Sequence, residues 1–488
     1  MTTPVANPQI KHVFVLMLEN RSFDHLLGFS GLTGTDAATG QSTSIDGIPG
    51  GNPAIKGATN VMGKDPLHEF RDVLEQLTGQ RDYNGGAYPK INNAGFRKNY
   101  ARTGSQTPDD ILKCYDPATQ LPVMTALANE FAICDQWYSS LPGPTWPNRF
   151  FVHAASSGGL DHSPTIAETA EWLALSGFPF VNGTIYDRLN QKGKAWRIYR
   201  GIKLPLEGSI PSVAALKGIQ LSDTHPYENF DSDMNNSYPF DYTFIEPNYG
   251  DIISNTYSGG QSQHPMDDIR HGEALIKSTY ESIRKSTIWL NSLLIITYDE
   301  HGGFYDHVAP PAASSPGDTQ LHSRYNSTGF PFDQYGVRVP ALVISAYTGK
   351  NQISHLPYDH SSIPATLENI FGMIPLTQRD AVSNTVCSLA SLPFPRTDTL
   401  ETLPDPVPIS AETEALAPAI RSAIKEQIAP VDSGNLPGFL FVVQKAQMEQ
   451  EPLAANRALI LQQPIERFKS RADARVYIEI NLPGLLKN

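Results

Sequence analysis

The sequence predicts an α/β protein: a mostly parallel central sheet with helices on both faces. Three observations carry this. Short apolar runs of strand length recur along the chain, helical stretches lie between them, and Gly- and Pro-rich segments separate the two. Strand, helix, strand in that rhythm implies right-handed crossovers between parallel strands.

The first strand is "HVFVLML", whose apolar residues Val13 to Leu18 are too few to cross a bilayer and end abruptly in Glu19 and Asn20. "TIYDRLNQ" reads as a helix that leads into the strand "AWRIYR". "HGEALIKSTYESIRK" reads as a helix feeding "STIWLNSLLIITYDE", with its buried strand at Leu293 to Thr297. "VRVPALVISAY" is a further strand, followed by the helical "SIPATLENIFG". Gly- and Asn-rich stretches near 30–60 and 205–260 are predicted as long loops that shape a pocket. After residue 392 the Pro-rich, acidic "LPFPRTDTLETLPDPVPIS" reads as an extended linker. Beyond it, "EALAPAIRSAIKEQIAP" and "ANRALILQQPIERFKSRADARVYIEI" suggest short helices and a strand. The expected organisation is a catalytic body over 1–392 and a linker with a small C-terminal appendage over 393–488.

Composition narrows the partners. Fifty carboxylates against 37 Lys and Arg argue against nucleic acid and against a polybasic membrane anchor. No apolar run approaches the length of a membrane span. Cys114, Cys134 and Cys387 have neither metal-type spacing nor a disulfide framework, and an odd count leaves at least one free thiol. With no basic leader at the start, the expectation is a cytoplasmic protein, or a secreted or periplasmic one if a leader has been removed.

The chemistry collects at strand ends, where open α/β sheets bind ligands. Glu19 and Asn20 end the first apolar run; Asp299, Glu300 and His301 end another, followed by Gly302 and Gly303. Adjacent carboxylates raise one another's pKa unless a cation lies between them. Four oxygen donors from two neighbouring strand ends suit a hard divalent cation; the alternative is a solvated turn. Thr145, in "LPGPTWPNRFF", precedes a helix predicted to start near Pro147. Its hydroxyl could attack phosphorus at the anion-favouring helix N-terminus, with Asn148 and Arg149 as phosphate contacts. The plainer alternative is a helix cap, and Ser139 and Ser140 compete as nucleophiles. His68, His264, His301 and His360 supply acid–base capacity. His12, His25, His153 and His307 lie near the same motifs and fit structural roles equally.

Five segments, "LENRSFDHLLG", "LPGPTWPNRFFVHAASSGG", "QHPMDDIRHGE", "TYDEHGGFYDHV" and "YDHSSIPATLENIFG", stand in the order found in the bacterial and plant phosphoesterase family. The chain resembles that family, which contains the non-specific phospholipases C and the AcpA-type acid phosphatases, from about residue 10 to about residue 380. The resemblance implies a fold similar to the alkaline phosphatase superfamily. It implies Glu19, Asn20, Asp299 and Glu300 as ligands of one divalent metal ion, with calcium, magnesium or manganese favoured by the oxygen donors and zinc a further option. It also implies Thr145 as the nucleophile that becomes phosphorylated, and His68, His264 and His301 as groups that bind phosphoryl oxygens or protonate the leaving group. His360, Asn148 and Arg149 belong to the motifs on the substrate side.

A threonine nucleophile resembles the phospholipase C members, so the expected substrate is a phosphodiester such as a choline-type phospholipid or a small phosphodiester. An acid phosphatase acting on monoesters is the alternative. A phosphoryl-binding or phosphoryl-transfer protein is the third reading. A sulfatase is disfavoured, because no cysteine lies in a C-x-P-x-R setting.

Overall fold

The computed structural model describes residues 6–203, 206–409, 432–453, 456–457, 460, 468 and 470–486. Twelve strands are present among them: β1 (His12–Leu18), β2 (Thr33–Asp36), β3 (Ser42–Ser44), β4 (Ile55–Lys56), β5 (Lys113–Cys114), β6 (Ala132–Cys134), β7 (Trp196–Arg200), β8 (Thr224–Pro226), β9 (Tyr242–Glu246), β10 (Ser292–Tyr298), β11 (Ala341–Ile344) and β12 (Gln352–Ser354). Ten of them form one sheet in the order β3-β2-β12-β6-β11-β10-β1-β9-β7-β8, and β4 pairs with β5 alone.

β1 lies at the centre, parallel to β10 on one side and to β9 on the other. Its residues Val13 to Leu18 are all buried, as is the whole of β10, which explains why both read as unbroken apolar runs. The sheet is mostly parallel, as the strand–helix rhythm predicts. β11 departs from the rhythm: it runs antiparallel to both β10 and β6. Helix Ile269–Lys285 carries the chain into β10 and buries the stripe Ile269, Leu275, Ile276, Tyr280 and Ile283.

The two segments expected as long loops carry structure. Residues 30–60 contain the antiparallel pair β2–β3 and the short β4. Residues 205–260 contain β8, β9 and several short helical turns, with Ile210, Val213, Phe230 and Phe244 in the core. Their strands were hidden by length and by polar or Gly-rich composition.

The described residues after 392, expected as a linker and a small appendage, pack on the body. The extended segment lies along helix Ile269–Lys285, where Arg284 Nε donates to Thr399 Oγ1 at 3.0 Å and Leu403 N donates to Glu281 Oε1 at 2.9 Å. Helix Leu436–Gln450 is buried over most of its length and joins the main apolar core. Its Phe439 packs edge-on against Trp146 with ring centroids 5.4 Å apart, and Gly438 is the residue that lets the indole approach. The expected helix "EALAPAIRSAIKEQIAP" and most of "ANRALILQQPIERFKS" lie outside the described residues. "RVYIEI" is helical rather than a strand: it belongs to Arg471–Leu485, which Ser470 opens with a capping box to Asp473.

One ion cluster on the body gives a stability test. His162 Nδ1 lies 2.7 Å from Asp161 Oδ1 and its Nε2 lies 2.9 Å from Glu168 Oε1. Asp161 in turn accepts from the backbone and hydroxyls of Ser327 and Thr328, which pins that loop. Burial alone would lower the His162 pKa; the two carboxylates overcome it and raise the group to about 10. A raised histidine stabilises fully below its unfolded value of about 6.5 and loses that contribution as pH rises through the folded value. Denaturant titrations from pH 6.5 to 10 should therefore show a loss of about 2 kcal/mol that His162→Gln removes.

Candidate active site

Register brings the expected oxygen donors together. In the parallel β1–β10 pair Leu18 lies opposite Tyr298, so Glu19-Asn20 and Asp299-Glu300 leave the sheet side by side. Asn20 takes the left-handed conformation, φ 59°, which asparagine tolerates better than most residues. Its backbone N–H then donates to Asp299 Oδ1 at 3.0 Å. Gly302, at φ 62°, makes the return turn directly against Asn20, and a side chain there would overlap the Asn20 carbonyl.

Thr145 faces this group from the other side. Its helix runs Thr145–Ala154 with Pro144 as N-cap, so it begins two residues earlier than Pro147 suggests. Pro147 falls in the first turn, where a missing N–H costs nothing. Thr145 Oγ1 is 3.4 Å from Asn20 Oδ1, and the side chain is buried. Ser139 and Ser140 are turned away: Ser139 Oγ donates to the Val337 carbonyl and Ser140 Oγ to Asp359 Oδ2 at 2.8 Å.

Asn148, Arg149 and His360, expected against the substrate, have their polar atoms taken up by the protein itself. Asn148 accepts from Leu141 N and donates to the Gly143 and Pro144 carbonyls, which fixes the loop ahead of Thr145. Arg149 Nε donates to Asp299 Oδ2 at 2.9 Å, Nη2 donates to the Leu18 carbonyl at 3.0 Å, and Nη1 lies 3.5 Å from Glu246 Oε1. His360 Nε2 is 2.5 Å from the Asp299 carbonyl, while the Trp137 indole N–H points at its Nδ1.

His68 and His301 flank Glu300, and His264 lies near Asp65. His68 is partly exposed; its Nδ1 is held by the Pro66 carbonyl at 3.0 Å and its Nε2 lies 4.0 Å from Glu300 Oε1. His301 sits with Nδ1 3.3 Å from Glu300 Oε2 and Nε2 2.7 Å from Gln76 Oε1. His264 stacks on Tyr257 with ring centroids 3.4 Å apart and accepts from Met266 N at Nδ1, leaving Nε2 3.6 Å from Asp65 Oδ1. Burial pushes His264 well below the usual imidazole range and lowers His301 as well. For His68 burial acts in the same direction, but the Glu300 and Asp65 carboxylates outweigh it and hold the ring at about 9. The four further histidines near these motifs make contacts within the protein. His12 bonds the Phe240 carbonyl, His25 stacks on Phe304, His153 faces Tyr186, and His307 pairs with Asp24.

Two carboxyl groups stand out for what they lack. Both oxygens of Glu19 and Oε1 of Glu300 are buried without a hydrogen-bond partner, as is Nδ2 of Asn20. Burial, and then the Asp299 carboxylate, pushes Glu19 well above the usual range; burial also raises Asp299 to about 6 against the pull of Arg149. Acceptor oxygens with no donors are the donor set a hard cation completes, so these residues fit a divalent metal. A second acid–histidine cluster, Asp24, Asp306 and His307, has its ligating atoms within 4.8 Å of one another. There Arg338 already supplies the positive charge, 3.0 Å from Asp24 Oδ1 and 2.9 Å from Asp306 Oδ1.

The Phosphoesterase family profile matches residues 10–374. This chain belongs to that family. Non-specific phospholipase C3 of Arabidopsis thaliana is 34% identical over 428 residues, covering 81% of this chain and 76% of the relative. Non-specific phospholipase C6 of the same plant is 35% identical over 422 residues, covering 82% and 76%. Phospholipase C B of Mycobacterium tuberculosis is 28% identical over 442 residues, covering 82% and 83%. Among solved structures, a protein in the alkaline phosphatase superfamily from Vibrio parahaemolyticus has 14% identity and a TM-score of 0.30, covering 62% of this chain and 81% of that one. The phosphonate monoester hydrolase of Agrobacterium radiobacter has 8% identity and a TM-score of 0.34, covering 75% and 74%. The chain is a phosphoric ester hydrolase, and none of its described helices is long and apolar enough to cross a membrane.

Several residues of this phosphoesterase site escape the sequence reading. Glu246 ends β9 beside Arg149, and Ser212 and Tyr249 donate to it. The signal was there: "YTFIE" is another apolar run closed by an acid. Gln76, Asp65 and Tyr257, which hold His301 and His264, come from helix and loop positions with no such pattern.

Proposed function

We propose that this phosphoesterase is a phospholipase-C-like phosphodiesterase that works through a phosphothreonine at Thr145, acting on choline-type phospholipids or small phosphodiesters. One observation carries the reading: a buried threonine hydroxyl at the first residue of a ten-residue helix lies 3.4 Å from Asn20 Oδ1, and the carboxylate oxygens of the adjacent Glu19 have no hydrogen-bond partner. The names of the plant and mycobacterial relatives support the phospholipase C assignment.

Glu19, Asn20, Asp299 and Glu300 would hold one divalent cation, preferably calcium, magnesium or manganese, which when bound supplies charge for activating a hydroxyl and for neutralising phosphoryl oxygens. The chain's own groups do the rest. Thr145 Oγ attacks phosphorus in line, and the first-turn N–H groups of Thr145 and Trp146, free of intrahelical acceptors, receive phosphoryl oxygen. His68, partly exposed and 4.0 Å from Glu300 Oε1, gives the leaving alcohol its proton. Water then cleaves the phosphothreonine from the opposite side. Arg149, Asn148 and His360 act as positioning residues for Asp299 and the Thr145 loop.

The test pairs p-nitrophenylphosphorylcholine with p-nitrophenyl phosphate. The diester should be preferred by about tenfold or more in kcat/KM, with activity lost on chelation and restored by one of the three favoured cations. Preference for the monoester would replace this reading with an acid phosphatase.

A further inference from the structure

Helices Phe70–Thr78 and Phe96–Ala101 bring a buried chain of two side-chain amides to His301. Its far end is fixed by charge. Glu75 receives Arg102 Nε at 2.6 Å and Arg102 Nη2 at 2.8 Å, with Lys98 Nζ 2.9 Å away. The Arg102 hydrogen bonds above all hold the Glu75 carboxyl down at about 2. An ionised carboxylate accepts and cannot donate. Asn99 lies 3.1 Å from Glu75 Oε2 and 3.1 Å from Asp72 Oδ1, so the atom it turns to them is Nδ2, and its Oδ1 faces Gln76.

Gln76 is then set twice. One end of its amide is 2.9 Å from Asn99 Oδ1 and 2.7 Å from the Leu67 carbonyl; both are acceptors only, so that end is Nε2. The other end, Oε1, is 2.7 Å from His301 Nε2. An amide oxygen has no proton to give, so this hydrogen bond requires the proton on His301 Nε2. A neutral imidazole carries one ring proton. Nδ1 is thereby a bare acceptor, 3.3 Å from Glu300 Oε2. Glu300 Oε2 accepts from Gly302 N at 2.8 Å, and Oε1 has no hydrogen-bond partner.

We propose that Gln76, itself set by Asn99, is a positioning residue that locks His301 as the Nε2–H tautomer, so that the ring withholds its proton from Glu300 and reserves that carboxylate for the cation. The cation half rests on the reading of Glu300 as a metal ligand; the tautomer half does not. In the opposite tautomer, Nδ1–H donates to Glu300 Oε2, a charge-assisted bond that a cation has to displace. Two facing acceptors instead repel, and a positive charge between them relieves the repulsion.

Nitrogen NMR of the full chain, labelled at its histidine nitrogens and freed of metal by chelation, tests the tautomer, with His301 assigned by its loss in His301→Asn. The unaltered chain should show Nε2 protonated and Nδ1 bare. Gln76→Leu should move the proton to Nδ1, where Glu300 is the remaining acceptor. Gln76→Glu, which keeps an oxygen at Nε2, should leave it in place. Calorimetric titration with calcium, magnesium and manganese should find Gln76→Leu binding about tenfold or more weakly than the unaltered chain. A merely structural Gln76 lowers the melting temperature without moving the proton, and that result would overturn the proposal. So would a protonated Nδ1 in the unaltered chain, even with a cation bound normally. An Nε2–H tautomer in a chain that binds none of the three cations would overturn the cation half together with the metal reading. Should Gln76→Leu fail to fold, the spectrum of the unaltered chain decides.

Discussion

Thr145→Ala should abolish turnover, lowering kcat by about 10⁴-fold or more, because it removes the oxygen that makes the covalent bond to phosphorus. The fold should barely respond. The Thr145 hydroxyl has one protein partner, Asn20 Oδ1 at 3.4 Å, and the helix behind it is anchored by Trp146 and Phe150 in the core. Loss of activity with unchanged denaturation separates a chemical role from a capping role. Quenching the unaltered enzyme in acid during turnover of p-nitrophenylphosphorylcholine should trap the phosphorylcholine group on the peptide that carries Thr145, and the alanine variant should trap none. Phosphorylcholine trapped on the alanine variant, or turnover within tenfold of normal, would sink the phosphothreonine reading.

Arg149→Met should cost about 3–5 kcal/mol of stability and nearly all activity together. The guanidinium is buried between Asp299 and Glu246 and also donates to the Leu18 carbonyl, so its removal strands two carboxylates inside the protein. Lysine should rescue only part, since a single ammonium cannot reproduce the forked set of donors. Combining Arg149→Met with Asp299→Asn should destabilise less than the sum of the two, because the second change removes a charge that the first left unpaired. Equilibrium denaturation of the four proteins measures this. A substrate-contact role for Arg149 predicts the reverse pattern: a raised KM on a fold of normal stability.

The sequence made the centre of this molecule readable because its two middle strands are buried on both faces. Val13 to Leu18 and Leu293 to Thr297 could be nothing else of that length, and the acids after them marked the edge where chemistry collects. β6 and β12 were not readable, since three residues carry no period. β9 was passed over inside a Gly- and Asn-rich stretch. The direction of β11 is set before it begins, since Val337–Pro340 already runs antiparallel beside Trp137–Ser139, and no apolar pattern records that. At the site, residue type identified the oxygen donors and Thr145, but it could not distinguish an arginine that faces substrate from one that faces Asp299. That choice is made by packing: Arg149 sits one helical turn beyond Thr145, on the side where Tyr249 and Glu246 close around it.

The central position of β1 has a consequence for how the protein is made. It leaves the ribosome well before either partner, since β9 and β10 begin at Tyr242 and Ser292. At about 5–20 residues per second, roughly 15–60 s pass before β10 is synthesised. Throughout that interval the nascent chain carries an unpaired, uncharged apolar strand, the kind of segment that pairs with the wrong neighbour. Production of this enzyme should therefore depend on chaperone supply and on slow synthesis more than its finished stability would suggest.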